Sequence, residues 1–382
     1  MRYYLIAGEA SGDLHGSNLI RGLAAEDPQA EFRFWGGDLM REAAEEHDAP
    51  FTLVHHYRDG AVMGLAEVLS KGFRLLENLH GCEKDIMEWE PDVVILIDYP
   101  GFNMKMAKFA HKKHIKVFYY IAPKTWASRS WRNRNLKRYV DMLYIVFPFE
   151  IPYFTKQGIP FVYKGNPLVE AIDNAHFEKV CDSNYIAVLP GSRKGEISRT
   201  LPLCVELADK MHADARYSGY KFVIAGAPAR DMSDYSPYLK GREDYVRVVF
   251  DKTYSVIKGA RAAIVNSGTA SLETVLLGTP HMVCWSTSPF TAFVARYILR
   301  VMDKIKYVSL GNLIVDELVF KEFIQEDFNL RNISDEMDRL LGDETYRAEM
   351  LEGYERIRKA LGQGNASRAF ALDMIARLSE SR

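Results

Sequence analysis

The chain has 382 residues, 48% hydrophobic and 26% charged, the make-up of a soluble globular protein long enough for two domains with full cores. Its 49 Lys and Arg against 51 Asp and Glu leave a formal charge of −2, so composition gives no case for nucleic-acid binding. No apolar run reaches the ~20 residues of a membrane span. Met1 leads straight into a strand pattern without a signal peptide. The scattered Cys82, Cys181, Cys204 and Cys284, and histidines without metal spacing, imply reduced thiols in a cytoplasmic protein with no metal.

In chain order, Tyr3-Tyr4-Leu5-Ile6-Ala7 reads as a buried strand ending in Gly8-Glu9-Ala10-Ser11-Gly12-Asp13, with a helix from near Leu14 to Ala25. In open α/β sheets ligands sit beyond the carboxyl ends of the strands, so this loop is a place for chemistry. Its spacing is neither a dinucleotide fingerprint nor a Walker loop, and Ser11 or Asp13 could simply cap the turn. Strand patterns follow at Phe32–Trp35, Phe51–Val54 and Val93–Ile97. The last is a continuous apolar run of the kind found inside parallel sheets, and it stops at Asp98-Tyr99-Pro100-Gly101. Val117–Ile121 and Met142–Val146 complete a first half of repeated βα units.

Two stretches in this half stand out. From Val62 to Leu79, apolar residues including Val62, Leu65, Val68, Leu69, Phe73 and Leu76 cover roughly half a helix circumference, and Met63 adds bulk at the start. Such an arc suits packing on a sheet and equally suits an interfacial helix dipping into lipid. From Met104 to Arg138 there are eleven Lys or Arg residues and no Asp or Glu. That stretch is either a solvated face or a surface for phosphates and anionic lipid.

The pattern breaks near Tyr163–Pro167, where we expect the domain linker, and then restarts. Tyr185–Leu189 runs into Pro190-Gly191-Ser192-Arg193, and further strands follow at Phe222–Ala225, Val246–Val249, Ala262–Val265 and Met282–Cys284. Two α/β halves facing a cleft suit a two-substrate transferase. We expect domains at 1–165 and 166–345, with C-terminal helices over 346–382 that cross back onto the first domain or pack on a second subunit of a homodimer.

Two loops of the second half look built for a diphosphate. Ser267-Gly268-Thr269-Ala270 lies between a strand and a helix, where free backbone N–H groups and the positive helix end favour phosphate. Glu273 follows in that helix and is placed to accept hydrogen bonds from ribose hydroxyls, although an acid there also stabilises a helix start. Gly191-Ser192-Arg193 supplies a turn and a permanent cation. In the first half, Asp98 ends the most buried strand. It is either a general base or a cap of the next turn.

Taken together and in order, these motifs are specific. Gly8 to Asp13, Val62-Met63-Gly64, Asp98 with Pro100 and Phe102-Asn103, Pro123 with Trp126, and Phe147-Pro148-Phe149-Glu150 come first. Leu189 to Arg193, Ser267 to Ala270 with Leu272-Glu273, and Tyr307-Val308-Ser309-Leu310 with Asn312-Leu313 follow. The succession resembles the lipid-A-disaccharide synthase family from the N-terminus to about Leu313.

That resemblance implies a GT-B architecture of two Rossmann-like, doubly wound domains, with the acceptor on the first and a UDP-sugar on the second. It implies inverting transfer of 2,3-diacylglucosamine from UDP to the 6-hydroxyl of 2,3-diacylglucosamine 1-phosphate, without a cofactor or metal, in lipopolysaccharide biosynthesis. Asp98 is then the base. Glu9, Ser11, Gly12, Asp13, Asn103 and Trp126 line the acceptor side, and Gly191, Ser192, Arg193, Ser267, Gly268, Thr269, Glu273 and Asn312 contact UDP. Acylated substrates imply peripheral contact with lipids of the inner membrane on its cytoplasmic face. Two departures touch this pattern: Gly311 stands where the family usually has Pro, which should loosen that loop, and Ser128 replaces a frequent Trp. The rivals are another UDP-sugar transferase acting on a lipid-linked acceptor, and a docking protein that binds UDP-sugar without turnover.

Overall fold

The computed structural model describes residues 1–60, 67–127, 130–228, 230–287 and 306–380. The chain divides into two compact units: residues 1–171 with 362–382, and residues 172–361. The expected boundaries at 165 and 345 therefore shift. Asn166 still belongs to the first unit, because its side chain donates to Val146 O and accepts from Leu168 N.

The first unit is a seven-stranded parallel sheet of order β3-β2-β1-β4-β5-β6-β7. Its strands are β1 (Arg2–Ala7), β2 (Glu31–Gly36), β3 (Phe51–His56), β4 (Val93–Ile97), β5 (Lys116–Tyr120), β6 (Met142–Ile145) and β7 (Phe161–Tyr163). Helices α1 (Ala10–Glu26), α2 (Asp38–Glu45), α3 (Glu67–Trp89), α4 (Pro100–Lys112), α5 (Asn133–Tyr139) and α6 (Glu150–Gln157) lie in the crossovers that parallel strands require, and α7 (Pro167–Asp173) follows the last strand. Val93 to Ile97 are all fully buried, the mark of a strand covered on both faces.

The second unit repeats the plan with β8 (Tyr185–Leu189), β9 (Lys221–Gly226), β10 (Val246–Phe250), β11 (Ala262–Asn266), β12 (His281–Trp285) and β13 (Glu322–Ile324), in the order β10-β9-β8-β11-β12-β13. Its helices are α8 (Lys194–Ala213), α9 (Ser236–Leu239), α10 (Thr253–Lys258), α11 (Thr269–Leu277), α12 (Leu310–Val315), α13 (Leu330–Gly342) and α14 (Glu344–Leu361). The last helix, α15 (Ala366–Ser379), belongs to the first unit. It packs along α1, where Phe370 meets the rings of Tyr120 and Tyr144 edge-on. Both sheets are thus doubly wound α/β sheets of Rossmann type, in which the order reverses beside the first strand of each unit. Among the described residues no helix is long and apolar enough to cross a membrane.

The apolar arc expected to touch lipid is only partly visible. Val62, Met63 and Leu65 lie outside the described residues, as do the side chains of Val68, Leu69 and Phe73 on α3. Further along α3, Leu79, Cys82 and Ile86 are buried in the core under the sheet, whereas Leu76 points outward at 60% exposure.

Candidate active site

In a doubly wound sheet the crevice for ligands opens at the carboxyl ends of the strands where the order reverses. In the first unit that point lies between β1 and β4, which are paired from Tyr3–Val93 to Ala7–Ile97. Gly8 and Glu9 follow β1 there, and Asp98 follows β4. Gly8 is required sterically, since a Cβ would stand 2.4 Å from the Tyr99 ring.

Asp98 and Tyr99 both hold φ of 44°, a left-handed pair of non-glycine residues, and Ile121 at the end of β5 adds a third at 61°. Such conformations cost of order 1–3 kcal/mol each and persist only where surroundings impose them. Here the surroundings are visible. The Asp98 carbonyl accepts from the Tyr119 hydroxyl at 2.6 Å and the Asn103 amide at 2.9 Å, while its N–H donates to Tyr120 O. The same Asn103 amide also donates to Ile6 O and Ile97 O, tying β1 to β4 beneath the turn. Asn103 is fully buried. It is a clamp under Asp98 and does not line a surface an acceptor could reach.

The half-buried Asp98 carboxyl is raised above its usual range, chiefly by desolvation. Lys124 opposes this, Glu9 adds to it, and the Tyr99 N–H opposes it. Lys124, after β5, also faces Glu150. That carboxyl is 1% exposed, accepts from the N–H groups of Val146 and Phe147, and is pushed up to about 7 by burial, against those bonds, the Trp126 indole and Lys124. Trp126 packs edge-on against Phe149 at 4.8 Å. Four adjacent strand ends thus converge on two carboxyls of raised pKa, a lysine and an indole.

The rest of the first loop departs from expectation. Helix α1 begins at Ala10, so Ser11, Gly12 and Asp13 lie within its first turn instead of in a loop. Ser11 is exposed and Gly12 is buried against Ala7. Asp13 is 2% exposed and accepts from the N–H groups of Gly37, Leu39 and Met40. It caps the start of α2, where the helix end favours an anion, and is not free to meet an acceptor.

In the second unit the order reverses between β8 and β11. Gly191 takes a φ of 110°, and a Cβ there would come 2.6 Å from Glu196. The Glu196 carboxylate accepts from the N–H groups of Ser192 and Arg193 and pairs with the Arg193 guanidinium, closing a capping box at the start of α8. This acid was missed from sequence, although an acid three residues after a helix cap is a readable sign. The Ser192 and Arg193 amides and the Arg193 guanidinium are thus all engaged by Glu196 within this loop.

The other loop differs. Helix α11 starts at Thr269 with no side-chain cap on Gly268, and the space beside Gly268 is open. The Ser267 N–H donates to Cys284 O and is spent. Glu273 lies one turn into α11, half-buried and hydrogen-bonded by the Tyr254 hydroxyl at 3.4 Å. Burial pushes its carboxyl up to about 7, against that bond.

Asn312 is a further correction. Its side chain is fully buried, donates to Phe320 O and to Glu322, and accepts from the N–H groups of Val319 and Phe320. It fastens α12 to β13 with no group left for a nucleotide. Gly311 is likewise no loosened loop: a Cβ there would press on the Phe320 ring at 2.9 Å. Ser128 lies outside the described residues. No group of three or more His, Cys, Asp or Glu among the described residues could hold a metal ion.

Comparison with known proteins agrees with this geometry. The lipid-A-disaccharide synthetase family matches residues 3–374. A lipid-A-disaccharide synthase of Trichlorobacter lovleyi is 34% identical over 388 residues, covering 100% of this chain and 98% of the relative. Among solved structures, a UDP-GlcNAc 2-epimerase of Neisseria meningitidis bound to UDP-GlcNAc superposes with a TM-score of 0.69 at 13% identity, covering 98% of this chain and all of the other. The glycotransferase of kitacinnamycin gives 0.63 at 13% identity, over 99% and 98%. These two likenesses concern the fold, which is the two-domain GT-B arrangement of α/β sheets. The chain belongs to the lipid-A-disaccharide synthase family, glycosyltransferases of lipid A biosynthesis.

Proposed function

We propose that the chain transfers 2,3-diacylglucosamine from UDP to the 6-hydroxyl of 2,3-diacylglucosamine 1-phosphate, giving the β-1,6 disaccharide 1-phosphate and UDP with inversion at the anomeric carbon. Asp98 is the base. Its carboxylate takes the hydroxyl proton, the oxygen bonds to the anomeric carbon, and the carbon–diphosphate bond breaks with its electron pair leaving on UDP. The start of α11 and the Arg193 guanidinium meet the charge of the leaving diphosphate, and Glu273 accepts from the ribose hydroxyls. Glu9 and Trp126 face the acceptor. Acylated substrates bring the enzyme to the cytoplasmic face of the inner membrane, in peripheral contact with lipid.

The observation that carries this reading is Asp98 itself: a half-buried carboxyl of raised pKa, held in a left-handed turn by two side chains at the strand-order reversal. A base of raised pKa transfers protons better than an ordinary carboxylate. The test is UDP release from UDP-2,3-diacylglucosamine with and without the 1-phosphate acceptor. Acceptor-dependent release is expected. Release that requires a different lipid-linked acceptor overturns the substrate assignment, and UDP-sugar binding without release overturns turnover.

A further inference from the structure

Lys105, Lys108 and Lys112 repeat along α4 at three- and four-residue spacing and so share one face. All three are exposed, and none has an ion-pair partner among the described residues. Beside them, α4, α3 and the start of α5 enclose a groove of about 540 Å³, within the ~300–1,000 Å³ of small-molecule sites. Leu79 and Met104 line it as buried or half-buried apolar surface, and the three lysines and Arg132 face a single acid, Glu83. Leu76 at 60% and Trp131 at 66% are the most exposed large apolar side chains among the described residues, and both line this groove. Its other end is formed by Pro100 and Gly101, the first turn of α4, two and three residues beyond Asp98.

An apolar channel flanked by exposed lysines suits one kind of occupant, an alkyl chain carrying an anionic head. The chain removes Leu76 and Trp131 from water, and the head neutralises three lysines that have no ion-pair partner among the described residues. We propose that this groove holds one acyl chain of the acceptor, with its phosphate on Lys105, Lys108 and Lys112. This assignment rests on the substrate reading above and adds where the acceptor is gripped.

The test measures binding to the full chain by calorimetry, with dodecyl phosphate, dodecyl maltoside and inorganic phosphate, each below its micelle concentration. Dodecyl phosphate is expected to bind at least tenfold more tightly than the neutral maltoside, and inorganic phosphate not to saturate. Met104→Trp, which fills the groove, should weaken dodecyl phosphate tenfold or more. The exposed pair Lys105→Glu with Lys108→Glu, which leaves the core untouched, should erase the preference over maltoside. Unchanged binding in either variant overturns the site. If the charge reversals instead abolish co-sedimentation with phosphatidylglycerol vesicles while dodecyl phosphate binds as before, the surface docks a bilayer and the proposal fails. In turnover, Met104→Trp should raise KM for the acylated acceptor about tenfold and leave that for a deacylated acceptor unchanged. Binding is read without catalysis, so an empty groove leaves the transfer reading standing, and intact binding without transfer removes only that reading.

Discussion

The carboxyl ends of β1 and β4 and those of β8 and β11 occupy the same place in two sheets of one strand order, yet present groups of opposite character. At the first, the backbone is bent into left-handed turns and the side chains are carboxyls raised in pKa around one lysine. At the second, a helix starts at a glycine beside open space, and a raised carboxyl lies a turn further along α11. Strand order decides where a ligand can reach. What it meets there depends on which groups the neighbouring elements have already occupied: Asp13 is taken by α2 and Glu196 by its own loop, while the Asp98 carboxyl meets the Tyr99 N–H, Lys124 and Glu9, and Gly268 at the start of α11 borders open space.

The sharpest way to break this contrast is Asp98→Asn. Turnover should fall about 10³-fold, within the usual range for losing a general base, while UDP binding by equilibrium dialysis stays as in the parent. Near-normal kcat would remove the base from the first unit.

Glu150 tests the first site through stability. Its folded pKa of about 7 stands above the ordinary 4.5, so the folded state holds the extra proton between those values. Stability therefore falls as pH rises from about 4.5 to 7 and stays low above. Glu150→Gln keeps an oxygen for the Val146 and Phe147 N–H groups. It should flatten that fall, by on the order of 1–3 kcal/mol at pH 8. Denaturant midpoints across this pH range decide it.

If, as proposed, the carboxylate form of Glu273 accepts from the donor, donor KM should rise as pH drops below about 7. Glu273→Gln should weaken the donor about tenfold, roughly the worth of a charge-assisted hydrogen bond, and abolish that dependence without moving acceptor KM. A change in acceptor KM alone would undo the division of labour between the units.

The smallest effects are shifts of the acidic limb of kcat/KM, since the base works ionised. Lys124 holds the Asp98 pKa down and Glu9 holds it up. Lys124→Ala should move the limb to higher pH and Glu9→Gln to lower pH. Shifts of the same sign would show that neither acts through Asp98.

Much of the architecture is legible in the chain. Val93–Ile97, Tyr185–Leu189 and Ala262–Val265 read as buried parallel strands because a strand covered on both faces must be apolar throughout, and Asp98, Glu9 and Glu273 stand at or just beyond their predicted strand or loop ends. The misreadings share a cause. Helix α1 starts four residues before Leu14, because Gly8 and Gly12 let chain and helix approach Tyr99 and Ala7 where a turn was expected. Asp13 is engaged by amides 24 or more residues away, and Asn312 closes on a segment 7 to 10 residues on that carries no motif. Glu150 closes the Phe147-Pro148-Phe149-Glu150 motif, but nothing local announces that it is buried beside Lys124.

Residue order alone determined the alternation of strands and helices, the two α/β units and the strand ends where chemistry could sit, because periodicity and turn-forming residues act over a few positions. The tertiary structure alone decided which polar groups at those ends remain available. A buried carboxylate or amide takes whatever donors the fold brings to it, from wherever in the chain they come, and only those left unspent can serve a substrate.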